Sequence, residues 1–150
     1  MKKQWIIRKA VLEDAAGLQK VMESAYAAYK ERLGGQRLPP MDVDYAGEIR
    51  DYPTWVAEWN GSLVAGLVMI FGDEAATIAN IAVHPNFQGQ GLGGGLMKFA
   101  ETVAKEKAYS ELCLATHVLL TENVALYKHL GWSEIERDAV RVMMKKEIGR

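Results

Sequence analysis

This sequence has few of the features that mark specialised classes of protein. Its single cysteine, Cys113, excludes an intramolecular disulfide framework and reads as a structural thiol. No apolar run approaches the roughly 20 residues that a membrane-spanning helix needs. Basic and acidic side chains nearly balance, 18 against 19, so the net charge of -1 gives no bulk attraction to nucleic acid or to an anionic membrane. No spacing of Cys and His residues suggests a metal site.

What is present is the composition of an ordinary globular protein. Hydrophobic residues make up 49% of the chain and charged residues 25%. A length of 150 residues suits one domain, 1–150, with enough core to fold alone. The N-terminal stretch MKKQWIIRKAVLED has too short an apolar part for a signal peptide, so we expect a cytoplasmic protein.

The pattern of apolar residues predicts seven strands and four helices. The strands are expected in QWIIRKA, TWVAEW, SLVAGLVMIF, ATIANIAV, ELCLAT, WSEIER and VRVMMKKE. Asp14 can cap a first helix that runs towards Tyr29, and DVDYAGEIRDY suggests a short second helix. A third helix follows a glycine-rich segment, and Gly131 ends a fourth in TENVALYKHL. The Asn-Gly pair in NGS predicts a tight hairpin.

This order of elements indicates an α+β fold with α/β/α layers. We expect a mixed, mostly antiparallel sheet of about seven strands with helices on both faces. The exception is the strand–helix–strand unit around the glycine-rich segment. Its crossover should make two neighbouring strands parallel.

The segment QGQGLGGGLMKFAETVAKEK, residues 88–107, combines a helical pattern with a poor helix start. Five glycines lie within 89–95, and each Gly in a helix costs about 1 kcal/mol relative to Ala. The N-terminus of a helix exposes unpaired N–H groups and the positive end of the dipole. A phosphate reaches those groups only where no Cβ intervenes. The glycines therefore favour a phosphate-binding loop over a purely packing role.

Two common phosphate-binding motifs fit this segment poorly. A P-loop needs Gly-Lys-Ser/Thr, but Leu96 and Met97 follow the glycines. Gly89, Gly91 and Gly94 meet the bare G-x-G-x-x-G pattern of dinucleotide folds. However, HPNFQ separates them from the preceding strand, and the next strand does not end in an acidic residue. A nicotinamide-dependent oxidoreductase is therefore the weaker alternative.

A third class of ligand fits better. The segment VHPNFQGQGLG carries Val83 and Pro85, and then Gln88, Gly91 and Gly93. This spacing resembles the acyl-CoA signature of the GNAT superfamily of N-acetyltransferases, Val-x-Pro followed by Gln/Arg-x-x-Gly-x-Gly/Ala. TENVALYKHLGW looks like a later helix of the same family, and the N-terminal third of the chain is covered more loosely.

The resemblance implies acetyl-CoA as co-substrate. In this family two central parallel strands splay apart, and the pantetheine arm pairs with strand backbone between them. The pyrophosphate then lies on the N–H groups of the glycine segment, and Gln88 helps to shape that loop. The residues implied to bind the co-substrate are Ile81, Ala82, Val83, Gln88, Gly89, Gln90, Gly91, Leu92, Gly93, Gly94 and Asn123.

The resemblance also implies a catalytic acid and an acceptor site. Tyr127 is the candidate acid for the leaving thiolate, since a phenol with a pKa of about 10 is protonated at neutral pH; the alternative is plain packing on the sheet. Tyr29, Asp44 and His117 are the expected substrate-binding residues, and a local loop contact is the alternative for His117. The general base stays open, because ATIANIAV holds no Asp or Glu.

We therefore expect an N-acetyltransferase that transfers an acetyl group from acetyl-CoA to a primary amine by direct attack in a ternary complex. The alternative is a non-catalytic acyl-CoA-binding sensor or interaction module on the same fold. By analogy with the family, a homodimer is expected. Nucleic acid and membrane are not expected as partners.

Overall fold

The computed structural model describes residues 5–27 and 29–149. In these residues the strands and helices follow the predicted order. The strands are β1 (Trp5–Lys9), β2 (Thr54–Trp59), β3 (Ser62–Phe71), β4 (Ala76–Val83), β5 (Glu111–His117), β6 (Ser133–Arg137) and β7 (Arg141–Glu147). The helices are α1 (Ala15–Ala27), α2 (Tyr45–Asp51), α3 (Leu92–Glu106) and α4 (Thr121–His129).

The seven strands form one mixed sheet in the order β1-β2-β3-β4-β5-β7-β6. The pairs β1–β2, β2–β3, β5–β7 and β6–β7 are antiparallel. β4 and β5 run parallel, with Ala76 opposite Leu112 and Thr77 opposite Cys113. The predicted α+β class and the parallel pair around the glycine-rich segment are confirmed, and the splay beyond this pairing stays a prediction.

The chain divides into two compact units. Unit 1 comprises Met1–Met69 and Asn80–Lys98, and unit 2 comprises Ile70–Ala79 and Phe99–Arg150. Unit 1 therefore holds α1, α2, the end of β4 and the start of α3. Unit 2 holds β5, α4, β6 and β7. The single domain that the length suggests stays a prediction.

The core of unit 1 forms where α1 packs on the sheet. Leu18 and Met22 of α1 are fully buried, and so is Val56 of β2. The helix comes so close to β3 that a Cβ added at Gly66 would lie 2.1 Å from Leu18 Cδ1. Burying such side chains contributes about 1.5–3 kcal/mol each and fixes α1 on this part of the sheet.

The start of α1 differs from the expectation for Asp14. A 3-10 turn, Leu12–Asp14, precedes the helix, and the Asp14 carboxylate accepts the Val11 N–H at 2.8 Å. The same carboxylate binds the Arg8 guanidinium at 2.8 and 2.9 Å. Asp14 therefore closes the 3-10 turn instead of capping α1, because Arg8 on β1 holds its side chain.

The end of α1 comes shortly before Tyr29. The described helix ends at Ala27, and residue 28 lies outside the described residues. Tyr29 lies in a turn, where its N–H donates to the Tyr26 carbonyl at 3.1 Å. Tyr29 therefore lies beyond the helix that runs towards it.

The two predicted chain reversals are confirmed. Asn60 and Gly61 have φ values of 51° and 86°, as expected for a tight two-residue hairpin between β2 and β3. Gly131, with φ of 98°, follows α4. In unit 2, Lys146 of β7 donates to Glu101 of α3 at 2.9 Å.

Candidate functional site

The glycine-rich segment connects β4 to α3 within unit 1. A 3-10 turn, Pro85–Phe87, leads into it, and α3 begins at Leu92. Gly89 and Gly91 have φ values of 81° and 83°, a conformation that residues with a side chain rarely adopt. The backbone alone therefore requires glycine at these two positions.

The start of α3 presents backbone N–H groups to open space. The Gly91 carbonyl accepts the Gly95 N–H at 3.0 Å, so the N–H groups of residues 92–94 precede the helical ladder. A Cβ added at Gly89, Gly91 or Gly94 would meet no atom within 4 Å. Unpaired donors, the positive end of the helix dipole and free space together suit an anionic ligand.

Gly95 has a different role from its neighbours. A Cβ at this position would lie 2.5 Å from Cη2 and 3.1 Å from Cζ2 of the Trp5 indole. Glycine is thus required here because α3 packs closely against β1. Gly95 therefore has a packing role. It lies outside the predicted phosphate-binding loop, Gly89–Gly94.

The end of β4 carries two carbonyls that accept side-chain hydrogen bonds. The Tyr26 hydroxyl donates to the Ile81 carbonyl at 3.2 Å, and Gln88 Nε2 donates to the Val83 carbonyl at 3.2 Å. Gln88 thereby ties the loop to the strand. Each carbonyl keeps a second lone pair, so the strand can still accept a hydrogen bond from a ligand. Ala82, between them, is buried.

The Tyr26–Ile81 contact has no signal in the sequence. It joins a helix to a strand 55 residues away, so no local spacing reveals it. Tyr26 also brings the end of α1 to the strand segment that the resemblance assigns to the pantetheine arm. This contact therefore becomes visible only in the folded chain.

The predicted acceptor residues of unit 1 lie on the segments that follow α1. Tyr29 is half-buried, and its ring centroid is 6.3 Å from that of Tyr26. The Arg32 guanidinium lies over the Tyr29 ring at 5.4 Å. Asp44 immediately precedes α2, is exposed, and makes no capping hydrogen bond with its side chain.

Sequence analysis did not single out Glu48, a carboxylate on α2. It is half-buried, and this burial is the main cause that raises its pKa; Asp51 and Asp44 raise it further. A carboxylate with a raised pKa takes up a proton more readily and suits a general base for an ammonium acceptor. The sequence does not reveal the raised pKa of Glu48, because glutamate is common on exposed helices. It becomes visible only once α2 is packed in the fold.

Unit 2 holds the predicted catalytic residue. Tyr127 and Asn123 are both half-buried and lie one turn apart on α4. The Tyr127 ring centroid is 6.0 Å from that of Trp132. The backbone N–H of Trp132 donates to the backbone carbonyl of Tyr127 at 2.9 Å. These contacts fix the end of α4 that carries the phenol.

His117 and Cys113 have local environments in unit 2. The Nδ1 of His117 accepts the Leu119 N–H at 3.1 Å, as a loop histidine does. Burial, with a smaller effect of Glu111, raises the pKa of the Cys113 thiol, so it is less reactive than a free thiol. Across residues 5–27 and 29–149, no three or more His, Cys, Asp or Glu side chains are grouped to hold a metal ion.

No helix in the described part of the chain is both long and apolar enough to cross a membrane.

Comparison with known proteins gives consistent matches along the chain. The family model described as "Acetyltransferase (GNAT) family" matches residues 19–132. An uncharacterised N-acetyltransferase of Escherichia coli K12 is 26% identical over 139 residues, which cover 87% of this chain and 83% of the relative. The ribosomal protein bS18-alanine N-acetyltransferase of the same organism is 32% identical over 75 residues, about half of each chain.

The fold itself occurs in solved structures. The PaiA N-acetyltransferase from Thermoplasma acidophilum, solved in complex with coenzyme A, superposes with a TM-score of 0.83 at 19% identity. The match covers 97% of this chain and 99% of that chain. At this identity the likeness concerns the fold, and it agrees with the strand order described above.

Proposed function

Since the chain belongs to the GNAT acetyltransferase family, and is thereby an acyltransferase, we propose that it transfers the acetyl group of acetyl-CoA to a primary amine. The observation that carries the proposal is the open space at the start of α3, where a Cβ added at Gly89, Gly91 or Gly94 would meet no atom within 4 Å. The coenzyme A bound in the Thermoplasma structure supports the same co-substrate here.

The glycine loop binds the pyrophosphate of the co-substrate. Its donors are the N–H groups of Gly89–Gly94, including those of Gln90 and Leu92, and the helix dipole adds to the attraction. Gln88 holds the loop on Val83. The backbone of Ile81–Val83 pairs with the pantetheine arm, as an added strand would.

The chemistry needs little more than positioning, because acetyl-CoA supplies an already reactive thioester. A neutral amine forms the new C–N bond at the carbonyl carbon, and a β4 N–H stabilises the charge that develops on the carbonyl oxygen. As the C–S bond breaks, Tyr127 gives its phenolic proton to the thiolate sulfur, and the proton that the nitrogen loses on forming the amide restores the phenol through solvent. Asn123, one turn away, contacts the pantetheine or orders a water.

The acceptor must lose a proton before it attacks, because an ammonium with a pKa near 10.4 has no free lone pair. Tyr29, Asp44 and His117 are the proposed acceptor-binding residues. Glu48 is the candidate base, because its N–H donates to the Asp44 carbonyl at 3.0 Å, one helical turn away, and burial raises its pKa. Polyamines, amino acids, aminoglycosides, other small amines, protein N-termini and protein lysines are the acceptor classes to test.

A second candidate function is an acyl-CoA-binding sensor without turnover. It is favoured by one observation, that β4 carries no Asp or Glu to act as a base.

A panel of amines separates the two candidates. The purified protein is mixed with acetyl-CoA and each amine class, and release of the free thiol is followed. The proposal predicts thiol release with at least one class, together with mass gain of the amine by one acetyl group. A protein that binds acetyl-CoA but acetylates no class would support the sensor instead.

A further inference from the structure

A groove of about 530 Å³ opens on unit 1, between α1, the start of β3 and His84. This volume lies within the range of small-molecule sites. Its walls come from three parts of the chain: α1, the start of β3, and the residue that follows β4. The side chains used below are Lys20, Glu23, Ser24, Ser62, Leu63 and His84.

The polar side chains of the groove are mostly hydrogen-bond donors. Lys20 carries a positive charge, and it forms no ion pair with any described residue. Ser24 on α1 and Ser62 on β3 add hydroxyl groups. The one acidic side chain, Glu23, is already paired with Arg37, so its charge is largely compensated.

His84 adds a further donor because its tautomer is fixed. Its Nδ1 accepts the backbone N–H of Asn86 at 3.1 Å, and an accepting nitrogen carries no proton. The proton of the neutral ring therefore lies on Nε2. Donors on several walls and an apolar Leu63 beside them suit a ligand that carries an acidic group on a small carbon skeleton.

We propose that this groove binds a small molecule through a phosphate or carboxylate group, held mainly by Lys20 and His84. The site is separate from the glycine loop. Neither the family nor the acetyl transfer accounts for it, and it needs no acetyl-CoA.

The groove lies next to the loop in the chain, which gives a ligand there a route to affect it. The backbone N–H of His84 donates to the Val64 carbonyl at 2.8 Å, and the His84 carbonyl accepts the Phe87 N–H at 2.9 Å. The residue thus anchors the turn that leads into the loop. An anion bound to its ring would change acetyl-CoA affinity, and acetyl-CoA would change the anion's affinity by the same factor.

The test follows the imidazole signals of the full-length chain by NMR while inorganic phosphate or succinate is added. The chain has three histidines, so a His84→Gln variant assigns the signal of interest. The titrations use a Gly94→Glu background, in which the added carboxylate keeps anions off the glycine loop. Saturable movement of the His84 signals is expected with phosphate, with succinate or with both, and the responding probe identifies the acidic group. No movement with either probe would overturn the proposal.

Matched variants locate the binding. Lys20→Met should weaken binding at least tenfold, and Lys105→Met, which removes an exposed lysine from the last turn of α3, should leave it unchanged. Equal affinity in the two variants would contradict the groove. In the wild-type chain, binding of a single probe molecule that coenzyme A fully displaces would show that the groove is part of the co-substrate site and would overturn its separate role.

Discussion

Gly94 and Gly95 are neighbours in α3, but they border different surroundings. A Cβ at Gly94 meets nothing within 4 Å, whereas one at Gly95 meets the Trp5 indole at 2.5 Å. We expect Gly94→Ala to raise the free energy of unfolding by up to about 1 kcal/mol through helix propensity. Gly95→Ala should lower it by about 1–3 kcal/mol, because a rigid ring must move.

Urea unfolding of the two variants beside the wild type measures both effects. The two variants control for each other, because each adds one methyl group and the two positions are adjacent. Stabilisation by both changes would show that the close contact between α3 and Trp5 does not exist.

Tyr127 is the residue whose chemical role is tested by removing one oxygen. Tyr127→Phe keeps the ring that packs 6.0 Å from Trp132 but removes the acidic proton. Turnover should fall by about 10²-fold or more, which is the usual contribution of a general acid. Acetyl-CoA affinity and the melting temperature should stay as in the wild type.

Steady-state kinetics with the best amine of the panel, together with calorimetry, check this expectation. Unchanged turnover would leave Tyr127 as a packing residue. Lost acetyl-CoA affinity would assign its hydroxyl to binding instead.

For single residues, the sequence locates the co-substrate motif but does not show the role of each residue in it. The spacing from Val83 to Gly93 is visible in one dimension and indicates the family. That Gly95 serves packing depends on Trp5, which lies on another element. The burial of Glu48 and the Tyr26–Ile81 bond likewise depend on contacts between elements, which no local pattern encodes.

Among the elements, β1, β2 and the turn before α1 are joined by one guanidinium. Arg8 of β1 binds Asp14 and also the Glu58 carboxylate on β2. The hydrogen bond from Arg8 is the largest of the effects that hold the pKa of Asp14 below its usual range. Since the folded pKa lies below the unfolded value of about 3.9, this stabilisation is present above about pH 4 and is lost as the pH falls through the folded pKa.

Asp14→Asn should therefore lower the free energy of unfolding at pH 7 by roughly 1 kcal/mol, after allowance for solvent screening of the partly exposed Arg8. The difference from the wild type should shrink as the pH falls below 4. Denaturant unfolding at pH values from about 2 to about 7 measures this difference in the free energy of unfolding. Asp73→Asn, in an exposed turn, is the control, and a pH-independent difference would contradict the ion pair.

The elements themselves are well predicted because their signals are local. Short, mostly apolar runs mark β2, β3 and β4, and the Asn60–Gly61 turn fixes the hairpin between the first two. The start of α1 is not predicted correctly. Arg8 draws the Asp14 side chain away from the helix, and both residues must be placed in the fold before this is visible.

For the whole molecule, the expected homodimer stays a prediction. In unit 2, large exposed apolar side chains include Leu126 on α4 and Ile135 on β6, each about half exposed. β6 is the last strand in the sheet order, so it can be covered by a second copy. Ile135→Lys should convert the dimer to a monomer in sedimentation velocity.

Leu12→Lys is the matched control for this change, because Leu12 is similarly exposed but lies in unit 1. It should leave the sedimentation coefficient unchanged. A wild-type chain that sediments as a monomer at micromolar concentration would contradict the predicted dimer.

The family and the sheet can be inferred from the whole sequence, but the acceptor cannot. The co-substrate motif is a short contiguous segment, and it is shaped by backbone that only glycine permits at Gly89 and Gly91. The acceptor surface is assembled from separate segments, such as those that carry Tyr29 and Asp44. Its shape depends on how those segments pack, so residue types alone leave several amine classes open.

Calorimetry tests whether the start of α3 binds the pyrophosphate of acetyl-CoA. The wild type should bind acetyl-CoA with micromolar affinity and should not bind NAD. Gly94→Glu should abolish binding without lowering the melting temperature, because the new side chain extends into open space over the loop. Lys105→Gln changes the net charge by the same single unit at the far end of α3 and should bind as the wild type does. If acetyl-CoA does not bind the wild type, or binds Gly94→Glu equally well, the glycine loop is not the co-substrate site.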